Sequence, residues 1–150
     1  MAGSFSKIYY HLVFSTKDRL PLLRKHIKDD VYKYISGIIK SEDGFVYAIG
    51  GTENHIHLLC TLSTKKPLTE MLQRIKGHSS KLINGSLDSN TKFNWQSGNG
   101  IFTVSHSQVD SVKKYILNQE EHHRTMSFKE EFRILLQKHN IDFREEYIWK

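Results

Sequence analysis

Between a glycine turn and a polar stretch, the run His55-Ile56-His57-Leu58 alternates imidazole with hydrocarbon. Alternation with period two is the mark of a β-strand with unlike faces, since successive side chains point to opposite sides of a sheet. Ile56 and Leu58 are therefore expected to enter a core. His55 and His57 then emerge together on the other face, where a rigid strand fixes their spacing.

The segments around this strand set the architecture. Ile8 to Thr16 is rich in β-branched and aromatic residues and reads as a first strand. After Pro21, the residues Ile27, Val31, Ile35, Ile38 and Ile39 recur at helical spacing, and Gly44 closes that helix. Phe45 to Ile49 reads as a second strand stopped by Gly50-Gly51, and the histidine strand runs from about His55 to Leu62. Pro67 opens a helix with Leu68, Met71, Leu72, Ile75, Leu82 and Ile83 on its inner face. Asn84 to Gly100 is polar and turn-rich and reads as loop, and Ile101 to Ser105 is a fourth strand. Ser107-Gln108-Val109-Asp110 fits a capping box for a helix over about 108–123, with Val109, Val112, Ile116 and Leu117 on one face. A helix from Ser127 to Lys138 and a tail from Asp142 to Lys150 complete the chain.

The order β-α-β-β-α-β plus C-terminal helices predicts an α+β fold. Its simplest form is a ferredoxin-like (RRM-like) antiparallel sheet with both central helices on one face. The other face, carrying His55 and His57, is expected to be free for a ligand.

At 150 residues the chain is expected to form a single domain over 1–150. It has no apolar stretch long enough to span a membrane, and Met1 to Lys7 lacks the apolar region of a secretory signal. Its single cysteine, Cys60, excludes an intrachain disulfide and a multi-thiolate zinc site, and cytoplasmic residence is expected. The net charge of +6 is uneven: residues 1–40 carry eight Lys/Arg against three acids, and residues 65–84 five against one. Positive charge gathered around the first two helices points to a polyanionic partner.

Two neutral imidazoles on one strand supply two-thirds of a metal site. Tyr115 and Gln119, four apart in a helical pattern, share a helix face. Two imidazoles and an amide oxygen would leave positions open on a divalent ion, which suits catalysis, and Mg²⁺ or Mn²⁺ suits phosphate chemistry. A tyrosine hydroxyl with an ordinary pKa of about 10 is a poor nucleophile unless such an ion polarises the phosphate. His122-His123 read as helix-terminal or solvent-exposed residues, and His78 as solvated. His11 shares a strand face with Tyr9 and Val13, where ligand contact and packing are both open. No phosphate-binding G-x-x-x-x-G-K-[ST] loop is present, so ATP is not an expected participant.

Gly50-Gly51-Thr52-Glu53-Asn54-His55-Ile56-His57 resembles the histidine–hydrophobe–histidine (HUH) motif of single-tyrosine transposases. Ile75-Lys76-Gly77-His78-Ser79-Ser80 resembles their following basic helix, and Trp95-Gln96-Ser97-Gly98-Asn99-Gly100 the segment before the tyrosine helix. Tyr115-Ile116-Leu117-Asn118-Gln119 resembles the helix bearing the nucleophile. Asn54 stands where many relatives carry aspartate, and Asn99 where an aromatic often sits between two glycines.

The resemblance implies a TnpA-type enzyme moving small insertion sequences as single-stranded DNA. Tyr115 would attack a phosphodiester, forming a 5′-phosphotyrosine link and releasing a 3′-hydroxyl. His55, His57 and Gln119 would hold Mg²⁺ or Mn²⁺. Element ends folded into hairpins are the implied substrates, and a homodimer with active sites formed in trans the implied assembly. Lys17, Arg19, Arg74, Lys76 and Lys81 are candidates for DNA backbone contacts. A host-adapted relative that nicks chromosomal hairpins, and a non-catalytic RRM-like nucleic-acid-binding domain, remain alternatives.

Overall fold

The computed structural model describes residues 3–88, 90 and 92–149. Met1, Ala2, Ser89, Thr91 and Lys150, on which parts of the amino-terminal, loop and tail readings fall, lie outside them. Four strands, β1 (Tyr9–Ser15), β2 (Phe45–Gly51), β3 (His55–Thr61) and β4 (Gly100–Val104), form one sheet in the order β2-β3-β1-β4. All neighbours are antiparallel, as in the expected ferredoxin-like arrangement. In the central pair, Val13 lies opposite His57 and Ser15 opposite His55.

The alternation read from the sequence sorts the two faces. Leu12, Phe14, Ile56, Leu58 and Cys60 enter one core with α1 (Lys25–Ser41) and α2 (Leu68–Leu82). Ile27, Val31, Ile35 and Ile39 come from α1, and Met71, Leu72 and Ile75 from α2. Full burial of each such side chain contributes about 1.5–3 kcal/mol, so this layer carries most of the apolar stabilisation.

The second face is not free. α3 (Val109–Leu117), α4 (Gln119–His122) and α5 (Phe128–Lys138) close over it. Ile116 of α3 is buried with Tyr9, Ala48 and Leu59, while Phe128, Phe132, Leu135 and Leu136 of α5 meet Val13 and Phe102. The expectation of an open ligand face fails because the stripe on α5 is apolar and seeks an apolar partner. That partner is the β1–β4 half of the sheet.

Local details depart from the sequence reading elsewhere too. Asn84 to Leu87, read as loop, continue from α2 as a π-helical turn. β2 runs through Gly50-Gly51, which pair with His57 and Ile56 instead of ending the strand. A bulge between Val46 and Ala48 turns both Tyr47 and Ala48 toward α3 and still returns Ile49 to the first core. The capping box does not form: His106–Gln108 make a 3₁₀ turn, and the helix has no side-chain cap. The expected helix over 108–123 is broken at Asn118, whose φ of −101° and ψ of 21° separate α3 from α4.

Gly50 sets how closely α3 approaches the sheet. A Cβ there would overlap the carbonyl oxygen of Ile116, whereas one on Gly77, in α2, would meet nothing within 4 Å. Gly50→Ala should therefore destabilise the fold by about 1–3 kcal/mol by lifting α3. Gly77→Ala should stabilise it by about 0.5–1 kcal/mol. Urea unfolding of both variants checks this, and equal midpoints would show that α3 is not seated by this contact.

Candidate active site

His55 and His57 are fully buried, brought together by strand periodicity and covered by the second helix layer. Phe128 of α5 stacks on the His55 ring, with centroids 4.5 Å apart. The break at Asn118 turns Gln119 inward, where its Oε1 lies 2.8 Å from His55 Nε2. Tyr115, one helical segment earlier, lies edge-on to the His57 ring at 5.7 Å between centroids. The four residues singled out by the sequence thus meet in one place.

At the middle of the cluster is Glu131 of α5, 2% exposed, which the sequence reading missed. Its Oε1 accepts from His57 Nε2 and His123 Nε2, both at 3.0 Å. Its Oε2 accepts from the Tyr115 hydroxyl and, at 3.0 Å, from Gln119 Nε2. An ionised carboxylate accepts about four hydrogen bonds and donates none, so these four donors satisfy it. The signal was present in the pattern. Glu131 falls on the same helical stripe as Phe128, Phe132 and Leu135, and an acid on an apolar stripe requires a buried partner.

Proton positions follow from these partners. Because the carboxylate only accepts, Gln119 must turn its NH₂ toward Glu131, which leaves its Oε1 facing His55. Asn54 Oδ1 accepts from the Thr52 hydroxyl at 3.0 Å and from His55 Nδ1 at 2.8 Å. The Asn54 side-chain carbonyl is in place to accept from Nδ1, the role a carboxylate would play at this position. The Thr52 hydroxyl also lies 3.1 Å from His55 Nδ1, so a ring proton on either nitrogen finds an acceptor, Asn54 Oδ1 at Nδ1 or Gln119 Oε1 at Nε2. His57, donating to Glu131 through Nε2, meets His11 Nε2 at Nδ1 across 2.8 Å.

His123 ends α4 as its C-cap, in keeping with the helix-terminal reading, but its side chain is largely buried. Nδ1 meets the Met126 carbonyl at 2.6 Å and Nε2 meets Glu131, so both nitrogens donate and the ring is an imidazolium. Burial alone would lower its pKa, but the Glu131 hydrogen bond and charge outweigh that and raise it. His122 Nε2 lies 3.3 Å from Glu131 Oε2. For Glu131 itself, burial would raise the pKa. The hydrogen bonds from His123 and His57 overcome that and hold it well below the carboxylate range. Tyr115 is shifted upward by burial and by its bond to Glu131, so its hydroxyl stays protonated in this arrangement.

Two depressions reach the cluster. One, of about 680 Å³, is lined by His11, Tyr115, His122, Glu131 and His139. The other, of about 1060 Å³, is lined by Lys25, Lys28, Asn54, Gln119 and Arg124. A metal fits the donor set: two imidazoles, an amide oxygen and a carboxylate oxygen converge, with His55, His57 and Glu131 offering ligand atoms within 4.8 Å of one another.

The basic candidates lie apart from this cluster. Arg74, Lys76 and Lys81 are on α2, across the sheet from the histidines. Arg74 pairs with Glu42 and Glu70, while Lys76 donates to the Gln96 carbonyl and, at 2.9 Å, to Asn99 Oδ1. Asn99 thus ties its loop to α2, and burial lowers Lys76 to about 8. Lys81 is exposed beside Arg74 and His78. Lys17 is exposed, and the Arg19 guanidinium lies 5.2 Å from the Trp149 ring centre.

The family model described as "Transposase IS200 like" matches residues 4–119. Among solved structures, a candidate transposase from Deinococcus radiodurans R1 superposes with a TM-score of 0.63 at 20% identity, covering 79% of this chain and 96% of that one. A REP-associated tyrosine transposase bound to a REP hairpin superposes with a TM-score of 0.56 at 13% identity, covering 77% of this chain and 70% of that one. At these identities the likeness is one of fold. No curated protein matches the sequence.

Burial, with the neighbouring His57 second, lowers both His11 and His55 from 6.5 to about 3. Their folded forms are neutral, and the unfolded chain takes up protons as pH drops below 6.5. Their stabilisation is therefore lost as pH falls from about 6.5 toward 3. Glu131, with its lowered pKa, adds a further loss at lower pH, while His123 acts in the opposite sense at higher pH. The urea midpoint should fall between pH 7 and pH 5 by more than about 1 kcal/mol equivalent. His55→Gln should flatten that fall, and a pH-independent midpoint would contradict the buried neutral pair.

Proposed function

The chain belongs to the IS200-like transposase family, and from that premise we propose that it cleaves and rejoins single-stranded DNA with Tyr115 as nucleophile. The observation that carries this reading is the convergence of the Tyr115 hydroxyl, both imidazoles and the Gln119 oxygen on one buried point. His55, His57 and Gln119 would hold Mg²⁺ or Mn²⁺. That ion, when bound, supplies Lewis-acid polarisation of the scissile phosphate.

Attack by the Tyr115 oxygen forms a P–O bond to the enzyme and breaks the bond to the 3′ oxygen, which leaves as a hydroxyl after protonation. The 5′-phosphotyrosine conserves the phosphodiester energy, so a second strand's 3′-hydroxyl can reverse the step without ATP. The 680 Å³ depression beside Tyr115 gives the phosphate a route to the hydroxyl. Duplex pairing would block such an approach, and single-stranded ends flanking hairpins are the substrates we assign. The hairpin bound by the REP-associated neighbour supports that choice. Exposed Lys17 and Lys81, with Arg19 and Arg74, are proposed to contact the DNA backbone. Lys76 would act there by holding the 96–99 loop.

In the single chain, Tyr115 reaches its own Glu131, and α3 is seated on its own β2 through Gly50. A homodimer exchanging α3 would make the same contacts with a second copy, which is the trans assembly the resemblance implies.

Incubation with a hairpin oligonucleotide and Mn²⁺ should give a covalent protein–DNA adduct. Tyr115→Phe, which removes one hydroxyl, should abolish it while leaving folding and hairpin binding intact. His57→Ala should abolish cleavage and keep most binding. DNA mapped to another residue, such as Tyr147, would refute the nucleophile.

Mixing Tyr115→Phe with His57→Ala subunits addresses assembly. Partial recovery of cleavage is expected from the trans homodimer, and background cleavage would overturn it in favour of cis packing.

A further inference from the structure

The family match ends at residue 119, so α5 lies beyond it, yet α5 places a carboxylate among the histidines. Glu131 Oε1 is 3.0 Å from His57 Nε2 and 3.6 Å from His55 Nε2, the latter also 2.8 Å from Gln119 Oε1. Its other oxygen, Oε2, takes the Gln119 NH₂ and the Tyr115 hydroxyl. The two oxygens have different partners and therefore different consequences.

We propose that Glu131 is a direct ligand of the divalent cation through Oε1, and that through Oε2 it positions Gln119 and Tyr115. The inference rests on the reading of His55 and His57 as metal ligands. Two imidazoles alone give a divalent ion no charge compensation in a buried site, and Gln119 is neutral. A carboxylate supplies it, and hard cations favour charged oxygen. The same group fixes the Gln119 amide. Without an acceptor at Oε2, that amide loses the partner that holds its NH₂. Loss of Glu131 is therefore expected to weaken the site twice, by removing one ligand and releasing the orientation of another.

Among the described residues, Glu131 is the carboxylate that groups with these histidines, which allows a spectroscopic test on the intact chain. Protein labelled with ¹³C at the glutamate carboxylates is loaded with Mn²⁺ and studied by ENDOR. Both ¹⁴N couplings from imidazole and a ¹³C coupling of directly bound carboxylate are expected, the latter lost in Glu131→Gln. In Mn²⁺ titrations followed by EPR, Glu131→Gln should bind about tenfold or more weakly, and Gln119→Ala should lose less.

Imidazole coupling without ¹³C coupling would overturn the role of Glu131 and leave the histidine site standing. Absence of both would overturn this inference together with the metal reading. Unchanged Mn²⁺ affinity in a folded Glu131→Gln would also overturn it. If that variant does not fold, the labelled wild-type protein decides.

Discussion

One buried carboxylate, on Glu131, holds the second helix layer to the sheet. Its four donors come from β3, α3 and the segment 119–123, so a single charged group joins three parts of the chain to α5. Burying an ion without partners is costly, whereas four hydrogen bonds and an imidazolium satisfy this one. The cost explains why these donors converge. Any arrangement of α5 that kept its phenylalanines inside but left Glu131 unpaired would be strongly disfavoured.

Around that group, irregularities in the backbone do the positioning. A bulge in β2 turns Tyr47 and Ala48 to the α3 side, and Gly50 lets the Ile116 carbonyl come close. The helix break at Asn118 then permits Ile116 of α3 to pack on the sheet while Gln119 reaches His55. An unbroken helix would keep Tyr115 and Gln119 on one stripe. The break lets one address Glu131 and the other lie between Glu131 and His55.

Charge is divided between the layers of the molecule. The chemistry gathers on the sheet face covered by α3, α4 and α5, whereas Arg74, Lys76 and Lys81 ride on α2 across the sheet. Lys28 of α1 bridges to Glu120 at 2.6 Å, linking the first helix layer to the helix that carries Gln119. A nucleic acid contacting both regions would have to wrap around an edge of the sheet, which suits a flexible single strand attached to a folded segment.

The sequence by itself determined the succession of strands and helices along the chain and the sorting of Ile56 and Leu58 from His55 and His57. These follow from periodicity, a property of neighbours along the chain. It did not disclose Glu131 or His123 as members of the cluster and left His11 open between ligand contact and packing, although an acid on the apolar stripe of α5 was visible. Residue 131 lies 74 positions from His57, and no local spacing rule connects them. The closed second face was likewise decided only by tertiary packing. Whether a sheet face stays open depends on which later helix has apolar surface to bury, and that competition is settled in three dimensions.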